Sequence, residues 1–188
     1  MNTIIKPSRY HLLIIAVVMQ ILILAGEYLN SVYPIWIGEK IELAVRPVDP
    51  RSLFRGNYAR LDYDIETIGK SFFDPKDFRW QRRGTIVYVA LQRQGEIWVP
   101  KSVSLKKPEQ GIFIRGRLMT QTWKNVSKLK IRYGTEAYFA PPDKARAIEN
   151  ELRKQGRNTD RPGATAEIMV APNGKAVLTG VKIDGVIM

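Results

Sequence analysis

RSLFRGNYARLDYDI (Arg51 to Ile65) sets three arginines, two tyrosines and two aspartates into one short run. From Leu61 its apolar residues Leu61, Tyr63 and Ile65 fall on every second position, the period of a strand with one buried face. The run before it, EKIELAVRPVDP (Glu39 to Pro50), has the same period through Ile41, Leu43 and Val45. Pro47 and Pro50 cannot donate to a ladder, so that strand ends there. Gly56 and Asn57 both tolerate left-handed backbone, which lets the chain reverse or bulge before the strand that begins at Tyr58.

Outward from this pair the pattern repeats. GTIVYVALQ (84–92), GEIWVPKSVSL (95–105), GIFIRGRLM (111–119) and VSKLKIRYG (126–134) are four more strand candidates bounded by glycine or proline. AEIMVAPNGKAVLTGVKI (166–183) reads as a hairpin turning at Asn173-Gly174. PPDKARAIENELRKQG (141–156) is the one amphipathic helix pattern outside the N-terminus: Ala145, Ile148 and Leu152 share a face, and Gly156 fits just past the end. GRNTDRPGAT (156–165) reads as an exposed loop. The fold class expected is mainly β, a small antiparallel sheet or partly open barrel with one surface helix, preceded by a single N-terminal transmembrane helix.

That membrane segment is YHLLIIAVVMQILILAGEYL (Tyr10 to Leu29), in which Gln20 is the only polar side chain between Leu12 and Ala25. At 1.5 Å per residue about 20 residues rise roughly 30 Å, the thickness of a bilayer core. Lys6 and Arg9 precede it, and Tyr10 and Tyr28 fall where aromatic rings settle among headgroups. A cleavable signal peptide is the competing assignment, but GEYLNSVYPIW offers no small-x-small cleavage site. The expected organisation is a cytoplasmic N-terminus over 1–9, an anchor over 10–29 against the lipid bilayer, a linker over 30–38 and an extracytoplasmic β-rich domain over 39–188. Trp36 in the linker either meets the membrane interface or caps the core.

The 188 residues carry a formal net charge of +12, of which the first 30 contribute only +1 through Lys6, Arg9 and Glu27. Large domains translocate largely regardless of charge, so a basic outer domain is compatible with the positive-inside bias. It would draw anionic envelope polymers and headgroups. Nucleic acid is an unnatural partner for that compartment, although SKLKIRYG and RQGEIWVPKSVSLKK interleave basic and aromatic residues. A solvated basic strand face accounts for those segments.

With no cysteine, disulfides and thiolate zinc sites are excluded, and the single histidine, His11, sits in the membrane segment. No histidine triad can form in the domain, and no cofactor is expected. On a regular strand Asp62, Asp64 and Glu66 share the face opposite Leu61, Tyr63 and Ile65, which predicts a solvated or ion-paired row. Carboxylates around Asp49 and Asp62 with separated pKa values would instead support an envelope hydrolase.

Arg46, Arg51 and Arg55 bracket Asp49 in a turn stiffened by two prolines, so guanidinium forks can brace the loop and leave donors facing outward. RYGTEAYF (Arg132 to Phe139) repeats the same mixture, with Arg132, Tyr133, Gly134, Glu136 and Tyr138. The two stretches are expected to meet across the sheet, Glu136 pairing with Arg55 or Arg51 in a satisfied polar network.

These residues resemble the GDYXXLXY family of membrane-anchored proteins. Its naming motif corresponds to GNYARLDY, with Gly56, Tyr58, Leu61 and Tyr63 in place and Asn57 where the family has aspartate. RPVDPRSLFR, GEIWVP and IRYGTEAYF resemble its surroundings, so the likeness covers most of the chain. It implies a bacterial envelope protein of uncharacterised activity, sometimes associated with other integral membrane proteins, and it carries over no catalytic residue. With the N-terminal segment, the expected location is the bacterial inner membrane, single pass. The expected function is that of an accessory or interaction protein binding a membrane partner or an anionic envelope ligand.

Overall fold

A computed structural model describes residues 9–46, 58–74, 78–122, 127–139, 164–183 and 186–187. The surface helix expected over 141–156 lies outside the described residues, as do the Asp49 turn, Arg51, Arg55 and the side chain of Arg46.

Helix α1 (Arg9–Ile37) opens the chain, and every large apolar side chain from Leu12 to Leu24 is exposed on it. A helical stretch that is apolar all round and meets nothing in its own chain, as from Leu12 to Leu24, needs another apolar medium. It is the one helix among the described residues long and apolar enough to cross a membrane, and it stands where an anchor or a signal sequence would.

The expected linker over 30–38 is helical as far as Ile37. Pro34 lacks the amide hydrogen that would bond to the Asn30 carbonyl, which is why the segment reads as a break. The ammonium of Lys175 supplies the missing donor, with Nζ 2.6 Å from the Asn30 oxygen. Pro34 is buried, and the helix end packs on the hairpin that turns at Asn173-Gly174. Trp36 stays 62 % exposed, so it caps no core.

Gly38 then makes the corner into β1 (Glu39–Arg46), its amide donating to the Pro34 carbonyl at 2.9 Å. A Cβ there would lie 2.2 Å from the Pro34 oxygen and 3.1 Å from the Val170 backbone. Ile41, Leu43 and Val45 are buried as their spacing predicts. β1 pairs antiparallel with β10 (Ala164–Val170) on one side and with β3 (Asp62–Tyr63) on the other. β11 (Ala176–Ile183) and β12 (Val186–Ile187) extend this sheet, giving the order β12-β11-β10-β1-β3. Its outer face is laced by Lys40 to Glu167 at 2.6 Å and by Lys182 to Glu42.

The second sheet runs β4-β8-β7-β5-β6: β4 (Thr67–Gly69), β8 (Lys128–Arg132), β7 (Phe113–Leu118), β5 (Ile86–Gln94) and β6 (Ile97–Ser104). Just past β4, Phe73 bridges to Val103 on β6, so the two edges of this sheet approach each other. The sheets form a half-barrel and a nearly closed barrel, and β2 (Tyr58–Arg60) pairs with β9 (Ala137–Phe139) as a separate two-stranded ladder. One cluster of buried side chains, including Ile41, Leu61, Ile65, Val87, Ile114, Leu129 and Ile168, serves both sheets. The domain is therefore mainly β, with antiparallel strand pairing throughout its named strands.

The Asn173-Gly174 turn forms as its residues predict. Gly174 takes φ +79° and Asn173 Oδ1 accepts from the Lys175 amide. Gly174 also seats the turn on the other sheet: its carbonyl accepts from the Arg115 amide at 2.7 Å, and a Cβ would meet the Phe113 ring at 2.8 Å.

Candidate functional site

The second half of the naming motif is a corner of the core. Leu61 is fully buried and its amide donates to the Glu136 carbonyl at 2.9 Å. Tyr63 is buried and its hydroxyl donates to the Thr135 carbonyl at 2.6 Å, while Tyr133 donates from its hydroxyl to the Ile65 carbonyl at 2.6 Å. Each segment thus sends one tyrosine to the backbone of the other. Ala59 opposite Tyr138 and Arg60 opposite Ala137 extend the contact, so the two aromatic stretches do meet. The side chain of Tyr58 is outside the described residues, and Tyr138 is half-buried against the core.

Glu136 does local work. Its carboxylate accepts from the amides of Tyr133 and Gly134, closing a turn in which Gly134 takes φ +88°. Its expected pairing with Arg51 or Arg55 falls outside the described residues, with Asp49, Gly56 and Asn57.

The carboxylate row is corrected by the structure. Residues 64–66 form a 3-10 turn, not a strand, and three residues per turn bring Glu66 back beneath Tyr63. Glu66 is 4 % exposed and accepts from the Tyr63 amide at 3.2 Å, with Lys130 Nζ 3.7 Å from its other oxygen. Asp62 is half-buried and only Asp64 faces solvent. Burial lifts the Glu66 pKa above the usual carboxylate range, against the Tyr63 amide that lowers it, and the charges of Asp62 and Glu136 add to the rise. Burial likewise raises both Tyr63 and Tyr133.

A raised folded pKa contributes stability fully present below the unfolded value of 4.5 and lost as pH climbs through the folded one. Glu66→Gln keeps an acceptor for the Tyr63 amide and removes the charge. Its melting temperature should match wild type near pH 4 and exceed it increasingly toward pH 8, whereas Glu66→Ala should cost about 1–3 kcal/mol by orphaning that amide. A gap between Glu66→Gln and wild type that narrows with rising pH would show that Lys130 dominates the site.

Beside the Tyr133 corner lies an open depression of about 300 Å³ lined by Ile86, Arg115, Gly116, Arg117, Met119, Arg132, Tyr133 and Gly134. β7 and β8 place Arg117 directly opposite Arg132, and Arg115 stands two residues along the same face. All three side chains are exposed. Arg117 donates to the Gly84 carbonyl at 3.3 Å, but among the described residues none of the three has a carboxylate partner. Like charges directly opposite across strands repel.

Between Arg115 and Arg117, Gly116 is buried and faces the interior. A Cβ on it would lie 2.4 Å from Ile131 Cγ2, 3.0 Å from the Tyr133 ring and 3.1 Å from the Arg132 carbonyl. Of the expected site, the structure unites Arg132, Tyr133, Gly134, Glu136, Leu61 and Tyr63. Sequence reasoning missed Arg115, Gly116 and Arg117. The alternation in IFIRGRL marks Arg115 and Arg117 as outward, yet only the register of β7 on β8 sets Arg132 against them. Among the described residues no group of three or more His, Cys, Asp or Glu side chains could hold a metal ion.

No curated protein and no solved structure matches the chain. The family model described as GDYXXLXY protein matches residues 20–181, from the middle of α1 to the penultimate strand, and so spans the helix-to-domain corner and both tyrosine clasps. On that match the chain belongs to the GDYXXLXY family.

Proposed function

We propose that the chain is a single-pass accessory protein of a bacterial inner membrane, with its N-terminus in the cytoplasm and its basic β domain outside, and that it binds anionic groups at the Arg115, Arg117 and Arg132 depression. Lys6 and Arg9 ahead of the apolar helix support the orientation. The ligand class is phosphate or carboxylate, borne by an envelope polymer or by an acidic segment of an integral membrane partner. The observation that carries the reading is Arg117 facing Arg132 across β7 and β8 with no carboxylate between them among the described residues. Guanidinium forks match such oxyanions bidentately, and a bound anion turns mutual repulsion into shared attraction.

This arrangement has a two-part signature in the full-length protein held in micelles. Without anion, Arg132→Gln relieves repulsion and should raise the melting temperature by about 1–3 °C. With pyrophosphate at low salt, wild type should gain stability and Arg132→Gln should lose most of that gain. A wild-type protein indifferent to pyrophosphate, or a variant that keeps the full gain, would sink the assignment.

A further inference from the structure

The contact between α1 and the β10–β11 hairpin fixes where the β domain stands relative to a bilayer. The 21 steps from Arg9 to Asn30 rise about 31 Å, close to the thickness of a hydrocarbon core, so Asn30 falls at its outer boundary. Lys175 bonds to the Asn30 carbonyl, while Val170 lies against Gly38, eight residues further along. From Val170 to Lys175 the hairpin therefore descends alongside the helix, and its tip points back toward the membrane.

Other cations gather at that tip. Phe113 packs on Gly174, and Lys107 Nζ sits 5.8 Å from the centre of the Phe113 ring. The Arg115 amide is bonded to the Gly174 carbonyl, which puts the start of β7 at the same place.

We propose that the Asn173–Lys175 tip, with Lys107 and Arg115 beside it, lies in the headgroup layer and binds anionic phospholipid. The domain rests on the membrane and is not held off it by a flexible stalk. The inference rests on α1 being a membrane anchor and adds the surface, the depth and the lipid class. Basic side chains near an anionic bilayer contribute about 1 kcal/mol each, roughly a fivefold preference per residue.

The absence of native cysteine makes the test direct. The full-length protein carrying Asn173→Cys is labelled with an environment-sensitive fluorophore and reconstituted in vesicles doped with headgroup-nitroxide lipid. Glu96→Cys serves as the distal reference. The Glu96 carboxylate acts on Lys182, seven residues from Lys175 along the β11 side of the hairpin and roughly 23 Å away. The expected result is strong quenching at position 173, little at 96, and a weaker signal at 173 when phosphatidylglycerol is replaced by phosphatidylcholine. Lys107→Gln should reduce the preference for phosphatidylglycerol about fivefold. Equal quenching at the two positions would overturn the placement, and quenching at 173 indifferent to lipid charge would overturn the headgroup recognition. Protein that fails to float with the vesicles would remove the anchor assignment itself, an outcome distinct from either.

Discussion

Substituting Gly38 with alanine should cost about 3 kcal/mol and lower the melting temperature of the full-length protein in micelles by roughly 6–12 °C. The added methyl would lie 2.2 Å from the Pro34 carbonyl oxygen, an atom of the helix backbone that cannot swing aside. On the other side stands the Val170 backbone at 3.1 Å. Relief requires that the last turn of α1 unwind or that β1 leave β10, and either motion breaks paired backbone groups. Gly26→Ala is the internal control. It lies in the same helix with nothing within 4 Å of the new Cβ, and alanine is the better helix former, so that variant should melt at or above wild type. Equal melting of Gly38→Ala and wild type would mean that the helix end is not seated on the domain.

Gly116→Ala is expected to lose about 2 kcal/mol, or roughly 4–8 °C. Two effects oppose each other at this strand position. Removing a glycine from a strand gains about 0.5–1 kcal/mol of conformational entropy. Overpacking costs more, because the methyl enters a closed space between Ile131, the Tyr133 ring and the Arg132 carbonyl. Ile131 Cγ2, at 2.4 Å, must give first, and the Tyr133 ring at 3.0 Å is expected to shift with it, drawing the Tyr133 hydroxyl from the Ile65 carbonyl.

This displacement has its own optical readout. Burial raises Tyr63 and Tyr133 above the ordinary tyrosine value of 10.0, so their contribution to stability is complete below pH 10 and is lost as pH climbs toward the folded values. In wild type both phenols should ionise only as the protein unfolds in alkali. In Gly116→Ala one more tyrosine should titrate reversibly near pH 10 by near-ultraviolet absorbance. A variant with an unchanged titration curve would show that Ile131 moved and the clasp held.

Strands were the legible part of this chain because a half-buried strand writes its period directly into the residues. Ile41, Leu43, Val45, Leu61 and Tyr63 are all buried as their alternation requires. The same rule failed just past Tyr63. Glu66 continues the polar series in sequence, but a 3-10 turn has a different period and returns it to the interior, where the Tyr63 amide receives it. The helix end failed for a related reason: Pro34 signals a stop, and the lysine that compensates for it comes from 145 residues away. The meeting of the two aromatic motifs was foreseeable from their shared chemistry. Which tyrosine bonds to which carbonyl was not, since that follows from packing, and the arginine depression needed a register that no single segment encodes.

The pairing of β1 with β10 also orders the assembly of the molecule in time. β1 ends at Arg46 and its partner begins at Ala164, so a growing chain carries the apolar face of Ile41, Leu43 and Val45 without its central neighbour for more than a hundred residues. At about 5–20 residues per second that interval lasts roughly 6–24 s. β5, β6 and β7 lie close in sequence and pair with one another, so most of the second sheet can close within it. The first sheet must wait for the hairpin that also grips the helix. Seating of Lys175 on Asn30 therefore waits for the same hairpin that completes the first sheet, and it joins α1 to a domain whose second sheet can already be closed.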